Sequence, residues 1–335
     1  MKKTIMSDSD IVEFGGLPGK SFAFKAMVEV ATRMAAHDVP ILLEGEVGSG
    51  KEWLARSIHF SSPKSKGEFI VVDCSSFSDV LLESELFGYV RGSFVGSIHD
   101  KKGLLEIARD GTVFLNHIEA LSLPTQGKLL RFIGEGSFFK IGGVASIKSN
   151  ARMMIGTDQD LKALVLKKKF RDDLFFQLNV IKITIPPLRE RREDISVLAD
   201  NYLMWFTKEA GIEPKQFSPE AKSILETYDW PGNVKELEKE IEKSVIMAKA
   251  SSKITPNFIS QQLKRKQKKI DSAHQPAIFS GSLKERKRYV IAELEREAIR
   301  EALEKTSGNR TQAAKLLDVS RQELIRKIAL HKIRS

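Results

Sequence analysis

An apolar run followed directly by a glycine-rich segment is the feature that most restricts the fold of this chain. The run Ile41-Leu42-Leu43 leads into Gly45-Glu46-Val47-Gly48-Ser49-Gly50-Lys51-Glu52, and a helical pattern follows over Trp53–Phe60. Glycines allow backbone N–H groups to wrap around a phosphate, the helix start adds its dipole, and Lys51 can reach the outer phosphates of a nucleotide. The segment therefore predicts a phosphate-binding loop; the competing interpretation is a glycine-rich structural turn.

Short apolar strands alternate with helical stretches and glycine turns from residue 13 to residue 187. This alternation is typical of an α/β fold with a doubly wound parallel sheet. Residues 188–263 are helical in pattern and indicate a small lid, residues 264–282 a polar basic linker, and residues 283–335 a small all-α domain, while residues 1–12 form a tail. The predicted strands are Ile41–Leu43, Phe69–Val72, Val113–Leu115, Met153–Ile155 and Val180–Ile185.

Length and composition suit a protein of two or three domains. The chain has 335 residues, of which 41% are apolar, enough for a substantial core. It has no run of about 18 apolar residues and no apolar export segment at its start, so we expect a cytoplasmic protein without a membrane contact. The single cysteine, Cys74, excludes an internal disulfide and follows an apolar segment, which favours a buried, unreactive thiol.

Positive charge is concentrated at the C-terminal end. Residues 261–335 carry 19 lysines and arginines against nine acidic residues, whereas residues 1–260 carry 35 of each. A neutral body with a basic C-terminal module is typical of nucleic-acid binding, because lysine and arginine neutralise phosphates and release counterions. A merely solvated tail is the alternative for the lysines that follow Leu263.

The last 43 residues have the pattern of a helix-turn-helix. Glu293–Lys305 is amphipathic, Gly308-Asn309 breaks it, Thr311–Leu317 forms a short helix, and Arg321–Leu330 forms the last one after the turn at Asp318–Ser320. The apolar face of the first helix consists of Leu294, Ala298, Ile299, Ala302 and Leu303. The predicted core of the following helices is Leu316, Leu317, Val319, Leu324 and Ile328.

Double-stranded DNA is the predicted partner of this module. The start of the last helix enters the major groove, so Arg321, Gln322 and Arg326 are predicted to read bases. Because such units read short half-sites, two are usually paired, and Leu294, Ile299 and Leu303 offer a dimer seam. An exposed basic helix face is the competing interpretation. The predicted phosphate contacts are Thr311, Ser320, Lys327 and Lys332.

Besides the glycine-rich loop, five ordered blocks stand out: Glu83–Gly88, Gly111–Leu115, Phe170–Leu174, Pro187–Arg191 and Trp230–Val234. Together they resemble the AAA+ domain of bacterial enhancer-binding activators of sigma-54 RNA polymerase, and the C-terminal helices resemble that family's Fis-type helix-turn-helix. In that family an AAA+ ring hydrolyses ATP to remodel a closed promoter complex. The resemblance implies bound ATP or ADP, RNA polymerase as a partner, and, since only about a dozen residues precede the matching region, no receiver domain.

The chain departs from this family directly after the apolar run Thr112–Leu115, where Asn116-His117 replaces Asp-Glu. In the family the first carboxylate organises Mg²⁺ and the second polarises the attacking water. Asparagine offers a hard dication only a neutral oxygen, and the water loses its carboxylate base. We therefore predict impaired Mg²⁺ binding and no metal site. His117 can in principle take a proton but is interpreted as a structural hydrogen bonder. Glu119, two residues on, is a candidate to replace the missing base, although a different direction of projection makes it a poor one.

Three other positions around the same reaction are altered. Arg171 matches the first of two family arginines, but Gln177 replaces the second, which reaches a neighbour's γ-phosphate and is worth on the order of 10³ in rate. Asp73 stands for an asparagine that gates the catalytic glutamate, and Lys235 stands for a lid arginine that senses nucleotide. The predicted nucleotide contacts are Gly45, Glu46, Gly48, Ser49, Gly50, Lys51, Glu52 and Lys235; Glu52 is normal for this family.

The family's sigma-contacting loop corresponds to Gly92-Ser93-Phe94-Val95-Gly96-Ser97. Both glycines and the aromatic residue are kept, but Val95 replaces a threonine whose hydroxyl belongs to the contact surface. The resemblance thus implies weakened coupling to sigma-54.

These features predict a DNA-binding transcription regulator whose degenerate AAA+ domain binds nucleotide and forms a dimer or ring, but does not hydrolyse ATP. Two alternatives stay open. One is an active ATP-hydrolysing sigma-54 activator with unusual catalytic residues. The other is a modulator of a paralogous activator ring.

Overall fold

The computed structural model describes residues 11–248, 251–264 and 295–330, apart from residues 297, 301, 304–305 and 307–308. The chain forms two compact units, one ending at Lys268 and the other beginning at Lys269. The predicted linker beyond Lys264, Leu294 of the predicted seam and the predicted phosphate contact Lys332 lie outside the described residues. The domain boundaries given above remain predictions.

A five-stranded sheet forms the centre of the first unit. Its strands are β3 (Ile41–Glu44), β4 (Phe69–Asp73), β7 (Thr112–Asn116), β10 (Arg152–Thr157) and β11 (Lys182–Thr184). They are all parallel and lie in the order β11-β3-β10-β7-β4. All five predicted strands are present, and β3, which leads into the glycine-rich loop, lies inside the sheet with β10 as a neighbour.

Helices cover both faces of the sheet, as a doubly wound fold requires. Successive side chains of a strand point to opposite faces: Phe114 packs with the buried residues of α2, whereas Val113 and Leu115 pack in a separate cluster with Leu129 and Leu174. The helices are α1 (Phe22–Ala35), α2 (Lys51–Phe60), α3 (Asp79–Phe87), α4 (Leu104–Ala108), α5 (Leu123–Glu135), α6 (Leu161–Leu166) and α7 (Asp172–Leu178). The predicted α/β fold is confirmed.

Three antiparallel hairpins lie outside this sheet: β1 (Val12–Phe14) with β2 (Leu17–Gly19), β5 (Gly88–Tyr89) with β6 (Lys101–Lys102), and β8 (Ser137–Phe139) with β9 (Ser146–Lys148). Cys74, just after β4, is buried, and burial raises the pKa of its thiol to about 12. The predicted burial of this thiol is confirmed.

The lid is helical, as predicted, and has its own apolar core. It consists of α8 (Arg192–Glu209), α9 (Pro219–Thr227) and α10 (Asn233–Met247), with a short parallel pair between β12 (Gln216–Phe217) and β13 (Lys253–Ile254). Trp230 is fully buried in this core, and its indole N–H donates to the Leu225 carbonyl at 2.8 Å. In the part of the chain that the structure describes, no helix is both long and apolar enough to cross a membrane.

The second unit contains α11 (Arg310–Leu316) and α12 (Arg321–Leu330), the two helices predicted for a helix-turn-helix. The Asn309 side chain caps α11 by accepting the N–H groups of Thr311 and Gln312. The Ser320 hydroxyl accepts the Glu323 N–H at 3.1 Å in the first turn of α12. Short polar side chains satisfy the free N–H groups at helix starts in this way, which fixes both boundaries.

The apolar side chains of this module pack differently from the prediction in three places. Leu316 was expected in the core but is 57% exposed, and Ala298 was expected on the apolar face but is exposed. Ile299 and Leu303 are buried together with Leu324 and Ile328. Their face is therefore occupied by the module's own helices, and it is wrong to assign these two residues to a free dimer seam.

Candidate functional site

The glycine-rich loop connects β3 to the first residue of α2, Lys51, as predicted. Gly48 and Gly50 have φ values of 74° and 107°, which side chains rarely tolerate. A Cβ atom on Gly48 would lie 2.2 Å from the Gly232 carbonyl oxygen, so the lid requires glycine there. The Lys51 ammonium donates to the carbonyls of Gly45 at 2.7 Å and Glu46 at 3.3 Å. The lysine is thus held against the backbone of its own loop.

The lid holds the loop through a polar network around Glu46. Both carboxylate oxygens of Glu46 accept from the Arg189 guanidinium, at 2.6 and 2.7 Å, and one also accepts from the Asn233 amide at 3.2 Å. The hydrogen bonds from Arg189 and Asn233 lower the pKa of Glu46 to about 2. Asn233 also donates to the Val47 carbonyl at 3.0 Å. Arg189 and Asn233 lie in two of the conspicuous sequence blocks but were not predicted as site residues.

The side chains of three other predicted nucleotide contacts take little part in this network. The Lys235 backbone N–H donates to the Gly48 carbonyl at 3.2 Å, while its side chain is exposed. Glu52 is exposed and pairs with Arg56 one helical turn later, at 3.1 Å. Ser49 is buried, and its hydroxyl has no hydrogen-bond partner among the described residues. The roles of these three residues as nucleotide contacts therefore remain predictions.

Side chains from two neighbouring strand ends meet beside this loop. His117 follows β7, has a left-handed backbone with a φ of 54°, and precedes a 3₁₀ turn at Ile118–Ala120. Its Nδ1 atom lies 3.2 Å from Glu119 Oε1 and 3.8 Å from Asp158 Oδ1, just beyond β10. The Thr157 hydroxyl donates to the other Glu119 oxygen at 2.7 Å. The expectation that Glu119 points elsewhere is wrong, because the left-handed residue and the tight turn bring its carboxylate back toward His117.

Burial shifts the pKa of two ionisable groups here toward their neutral forms. Burial lowers the pKa of Lys51, and the carboxylates of Asp158 and Glu119 partly oppose this. Burial also raises the pKa of Glu119, and its hydrogen bond with Asp158 adds to the effect. Asp158 was not identified from the sequence as a site residue. Its electrostatic coupling to Lys51 nevertheless places it at the phosphate loop.

A Mg²⁺ ion accompanies ATP in this fold, and the residues at its usual position do not fit it well. Asn116 Oδ1 is buried, neutral and without a hydrogen-bond partner among the described residues. Magnesium prefers carboxylate oxygens and water. The carboxylates that the structure brings to this edge belong to Glu119 and Asp158, and they lie beside an imidazole. The usual arrangement for Mg²⁺ is therefore absent at Asn116 and His117.

The remaining candidate catalytic positions lie on other elements. Asp73 ends β4 in register with Asn116, and its carboxylate accepts from the Ser75 N–H and hydroxyl at 3.0 and 2.6 Å. Arg171 is exposed and forms a two-point pair with Asp173, at 3.0 and 2.7 Å. Gln177 is exposed on α7. Among the described contacts, none joins Gln177 or Arg171 to the phosphate loop of the same chain.

The predicted sigma-contacting loop is a compact turn with an apolar tip. The Gly92 N–H donates to the Ser97 carbonyl at 2.9 Å, and Gly92 and Gly96 both have positive φ values, 80° and 100°. The Ser97 hydroxyl accepts the Phe94 N–H at 3.0 Å, and Ser93 lies in the same turn. Val95 at the tip is fully exposed. Val95, which replaces the family's threonine, is therefore the residue of this loop best placed to contact a partner.

The predicted DNA contacts occupy the two helices of the second unit. Arg321, Gln322 and Arg326 are exposed on α12, and Thr311 is exposed on the first turn of α11. The Lys327 ammonium is paired with Glu295 at 2.5 Å. Arg321 and Gln322 thus lie at an accessible helix start and Arg326 lies midway along the same helix, whereas Lys327 is engaged within the module.

Comparisons with known proteins agree with this organisation. Three family models match in succession: "Sigma-54 interaction domain" over residues 17–184, "AAA+ ATPase lid domain" over residues 189–276, and "Bacterial regulatory protein, Fis family" over residues 290–329. Regulatory protein AtoC of Escherichia coli is 38% identical, covering 94% of this chain and 68% of AtoC. DNA-binding transcriptional regulator NtrC of Klebsiella pneumoniae is 35% identical, covering 92% and 69%.

Solved structures give the same result at the level of the fold. Crystal structures of NtrX from Brucella abortus in complex with ADP and with ATP superpose with TM-scores of 0.67 and 0.68. Both are 27% identical and cover 94% of this chain, and 68% and 69% of NtrX. With its matching AAA+ core, lid and Fis-type helix-turn-helix, the chain belongs to the sigma-54-dependent transcriptional regulators.

Proposed function

We propose that this DNA-binding regulator uses its AAA+ domain as a scaffold that binds ATP or ADP and oligomerises, without hydrolysing ATP or remodelling sigma-54 polymerase. The observation that carries the proposal is the strand end at Asn116 and His117. A neutral amide and an imidazole stand there beside a phosphate loop whose backbone geometry is intact. Binding and hydrolysis use different parts of this site, so one can survive without the other.

Nucleotide binding is supported by the shape of the site. A cavity of about 570 Å³ borders Gly45, Glu46 and Asp158 and is walled by apolar residues of α1 and by Ile183–Pro187. This volume lies within the range of small-molecule sites, roughly 300–1,000 Å³. The related NtrX has been crystallised in complex with ADP and with ATP. We infer that the cavity takes the nucleoside while the loop holds the phosphates.

The absence of hydrolysis is supported by the groups that would have to perform it. General-base catalysis contributes about 10²–10⁴-fold, and no carboxylate follows β7 directly. The His117 ring nitrogen nearest the site already faces Glu119 at 3.2 Å. Gln177 carries no charge for a neighbour's γ-phosphate, and a trans arginine is worth about 10³–10⁵. Either loss alone would slow turnover severely.

Coupling to the polymerase is proposed to be weak because Val95 presents only a hydrocarbon surface at the loop tip. The second unit would hold the protein on double-stranded DNA in the bacterial cytoplasm. We propose that the protein assembles as a dimer or a ring. Because position 177 is a glutamine and not an arginine, bound nucleotide would contribute less to closing a ring.

The test compares binding with turnover on the full-length protein. Calorimetry should show ATP and ADP binding that Lys51→Ala abolishes, and steady-state hydrolysis should not exceed that of Lys51→Ala. The double variant Asn116→Asp/His117→Glu should restore measurable hydrolysis if the strand end is the main defect. Turnover by the unaltered chain above the Lys51→Ala background would overturn the scaffold function, and so would failure to bind either nucleotide.

An active ATPase is the second candidate, and the position of Glu119 favours it. Its carboxylate faces the same site as His117 and Asp158, so it could replace the missing base. In that case the unaltered chain would turn over ATP, and Glu119→Gln would remove the activity while nucleotide affinity stayed the same.

A further inference from the structure

Three potential metal ligands converge at the carboxyl ends of β7 and β10. One oxygen each of Glu119 and Asp158 and one ring nitrogen of His117 all lie within 4.8 Å of one another. Ligand atoms about 2.0–2.2 Å from a common Zn²⁺ at the tetrahedral angle are about 3.3–3.6 Å apart. The observed separations of 3.2 and 3.8 Å from His117 to the two carboxylates bracket that value. Small side-chain adjustments would therefore suffice to hold an ion.

The charges around these ligands favour a cation. Glu119 has only 5% of its side chain exposed and Asp158 only 20%, yet their carboxylates face each other. Asp73 ends the neighbouring strand β4 in register with Asn116 and brings a third carboxylate to this edge of the sheet. The ammonium of Lys51 offsets these negative charges in part, although its hydrogen bonds go to the carbonyls of Gly45 and Glu46. Two poorly solvated carboxylates are costly unless a proton or a metal ion compensates them.

A separate feature of the same edge also points to a missing partner. Asn116 Oδ1, on the residue preceding His117, is buried and has no hydrogen-bond partner among the described residues. A buried carbonyl oxygen without a partner costs about 1–3 kcal/mol. This oxygen lies beside Gly156 of β10, two residues before Asp158.

We propose that His117, Glu119 and Asp158 form a binding site for a first-row transition-metal dication, such as Mn²⁺ or Zn²⁺, in preference to Mg²⁺. The preference comes from the imidazole: histidine suits zinc and other transition metals, whereas magnesium is bound through oxygen ligands and retained waters. The substitution of His117 for a glutamate thus changes the ion that this edge selects. The site requires neither hydrolysis nor nucleotide, so it stands independently of the scaffold function.

The experiment is a calorimetric titration of the untagged, nucleotide-free, full-length chain with Mn²⁺, Zn²⁺ and Mg²⁺ in separate runs. We expect one transition-metal site per chain that excess Mg²⁺ does not displace. His117→Asn should weaken it at least about tenfold, since even the loss of groups that only orient ligands costs 10–100-fold. Asparagine tolerates the left-handed backbone of this position. The matched control is His37→Asn at an exposed histidine, which should leave the affinity unchanged.

Asp158→Asn and Glu119→Gln are second and third variants, and thermal melting of each confirms folding. If the unaltered chain and all three variants bound the transition metal with equal affinity, the site would be overturned. It would also be overturned if His37→Asn lost as much metal affinity as His117→Asn, because the metal would then be bound by surface histidines. Affinity for Mg²⁺ equal to that for Mn²⁺ and Zn²⁺ would overturn the selectivity. If Lys51→Ala lost nucleotide binding but still bound the transition metal, the metal site would stand even where the nucleotide-binding scaffold function fails.

Discussion

At the scale of single residues, Glu46 joins the phosphate loop to the lid through one carboxylate. It is held by two hydrogen bonds from Arg189 and one from Asn233, and its pKa is lowered to about 2. Both Glu46 and Arg189 are about 40% exposed, so solvent screening limits the contribution of the pair to about 1 kcal/mol. We predict that Glu46→Gln lowers the free energy of unfolding by about that amount at pH 7.

The pH dependence follows from the sign of the shift. A carboxyl whose pKa is lower in the folded protein stabilises it fully above about pH 4.5 and progressively less as the pH falls toward 2. Urea unfolding at several pH values should therefore show that the free energies of unfolding of the unaltered chain and of Glu46→Gln converge below pH 4.5. Glu29→Gln, which breaks an exposed pair with Arg33 on α1, is the control and should change stability by less than about 0.5 kcal/mol at every pH. If the free energies of unfolding of the unaltered chain and Glu46→Gln differed by the same amount at every pH, the stability difference would not come from the ionised Glu46 carboxylate.

The two site residues that replace the family's carboxylates could be found from the sequence, but their neighbours could not. Asn116 and His117 directly follow a recognisable apolar strand, so their place at its carboxyl end was predictable. Asp158 follows a different strand, and only the pairing of β10 with β7 brings the two ends together. Glu119 was assigned the wrong direction because the left-handed backbone of His117 has no signature in the sequence.

At the scale of elements, α10 is anchored to the phosphate loop by its first residue. Asn233 is fully buried, accepts the Leu188 N–H at 2.8 Å and donates to Glu46 and the Val47 carbonyl. Removing the amide leaves a buried N–H without a partner, which costs about 1–3 kcal/mol, and alanine is strained at the φ of 53°. We predict that Asn233→Ala lowers the free energy of unfolding by about 2–4 kcal/mol.

Denaturant unfolding and limited proteolysis of the lid measure this effect. Exposed Asn257 offers a matched asparagine in the same unit, and Asn257→Ala should remain within about 0.5 kcal/mol of the unaltered chain. Asn233→Gly tolerates the backbone conformation, so it should be less damaging than alanine if strain contributes. Equal stability of Asn233→Ala and Asn257→Ala would show that α10 is held by its apolar contacts alone.

Strands were easier to predict than the inner faces of short helices. The apolar runs of β3, β7 and β10 are buried on both faces of the sheet, so predicting these strands did not require knowing which face each side chain points to. In α11, by contrast, the orientation decides which residues are buried. Ala313 and Ala314 face the core, and Leu316 is two residues beyond Ala314, or about 200° around the helix. Leu316 therefore faces outward, although its apolar character suggested a core position.

At the scale of the whole molecule, the net charge of +10 matches the excess carried by residues 261–335, while the preceding residues carry equal numbers of each sign. We expect DNA affinity to fall steeply with salt, because each neutralised phosphate contributes about −0.9 to the slope of log K against log salt. Base reading by α12 should add to this general attraction only at particular sequences. Arg321 is exposed at the start of that helix, where a guanidinium can contact a guanine edge.

Arg321→Ala should weaken binding to a DNA site selected by the full-length chain from a random pool by about 1–3 kcal/mol, and binding to unrelated DNA far less. Arg33→Ala removes the same charge from α1, where the residue is also exposed, and should leave both affinities nearly unchanged. Fluorescence anisotropy at several salt concentrations measures the two affinities and the slope together. If Arg321→Ala weakened selected and unrelated DNA equally, Arg321 would be a phosphate contact, and sequence reading would have to come from other residues of α12.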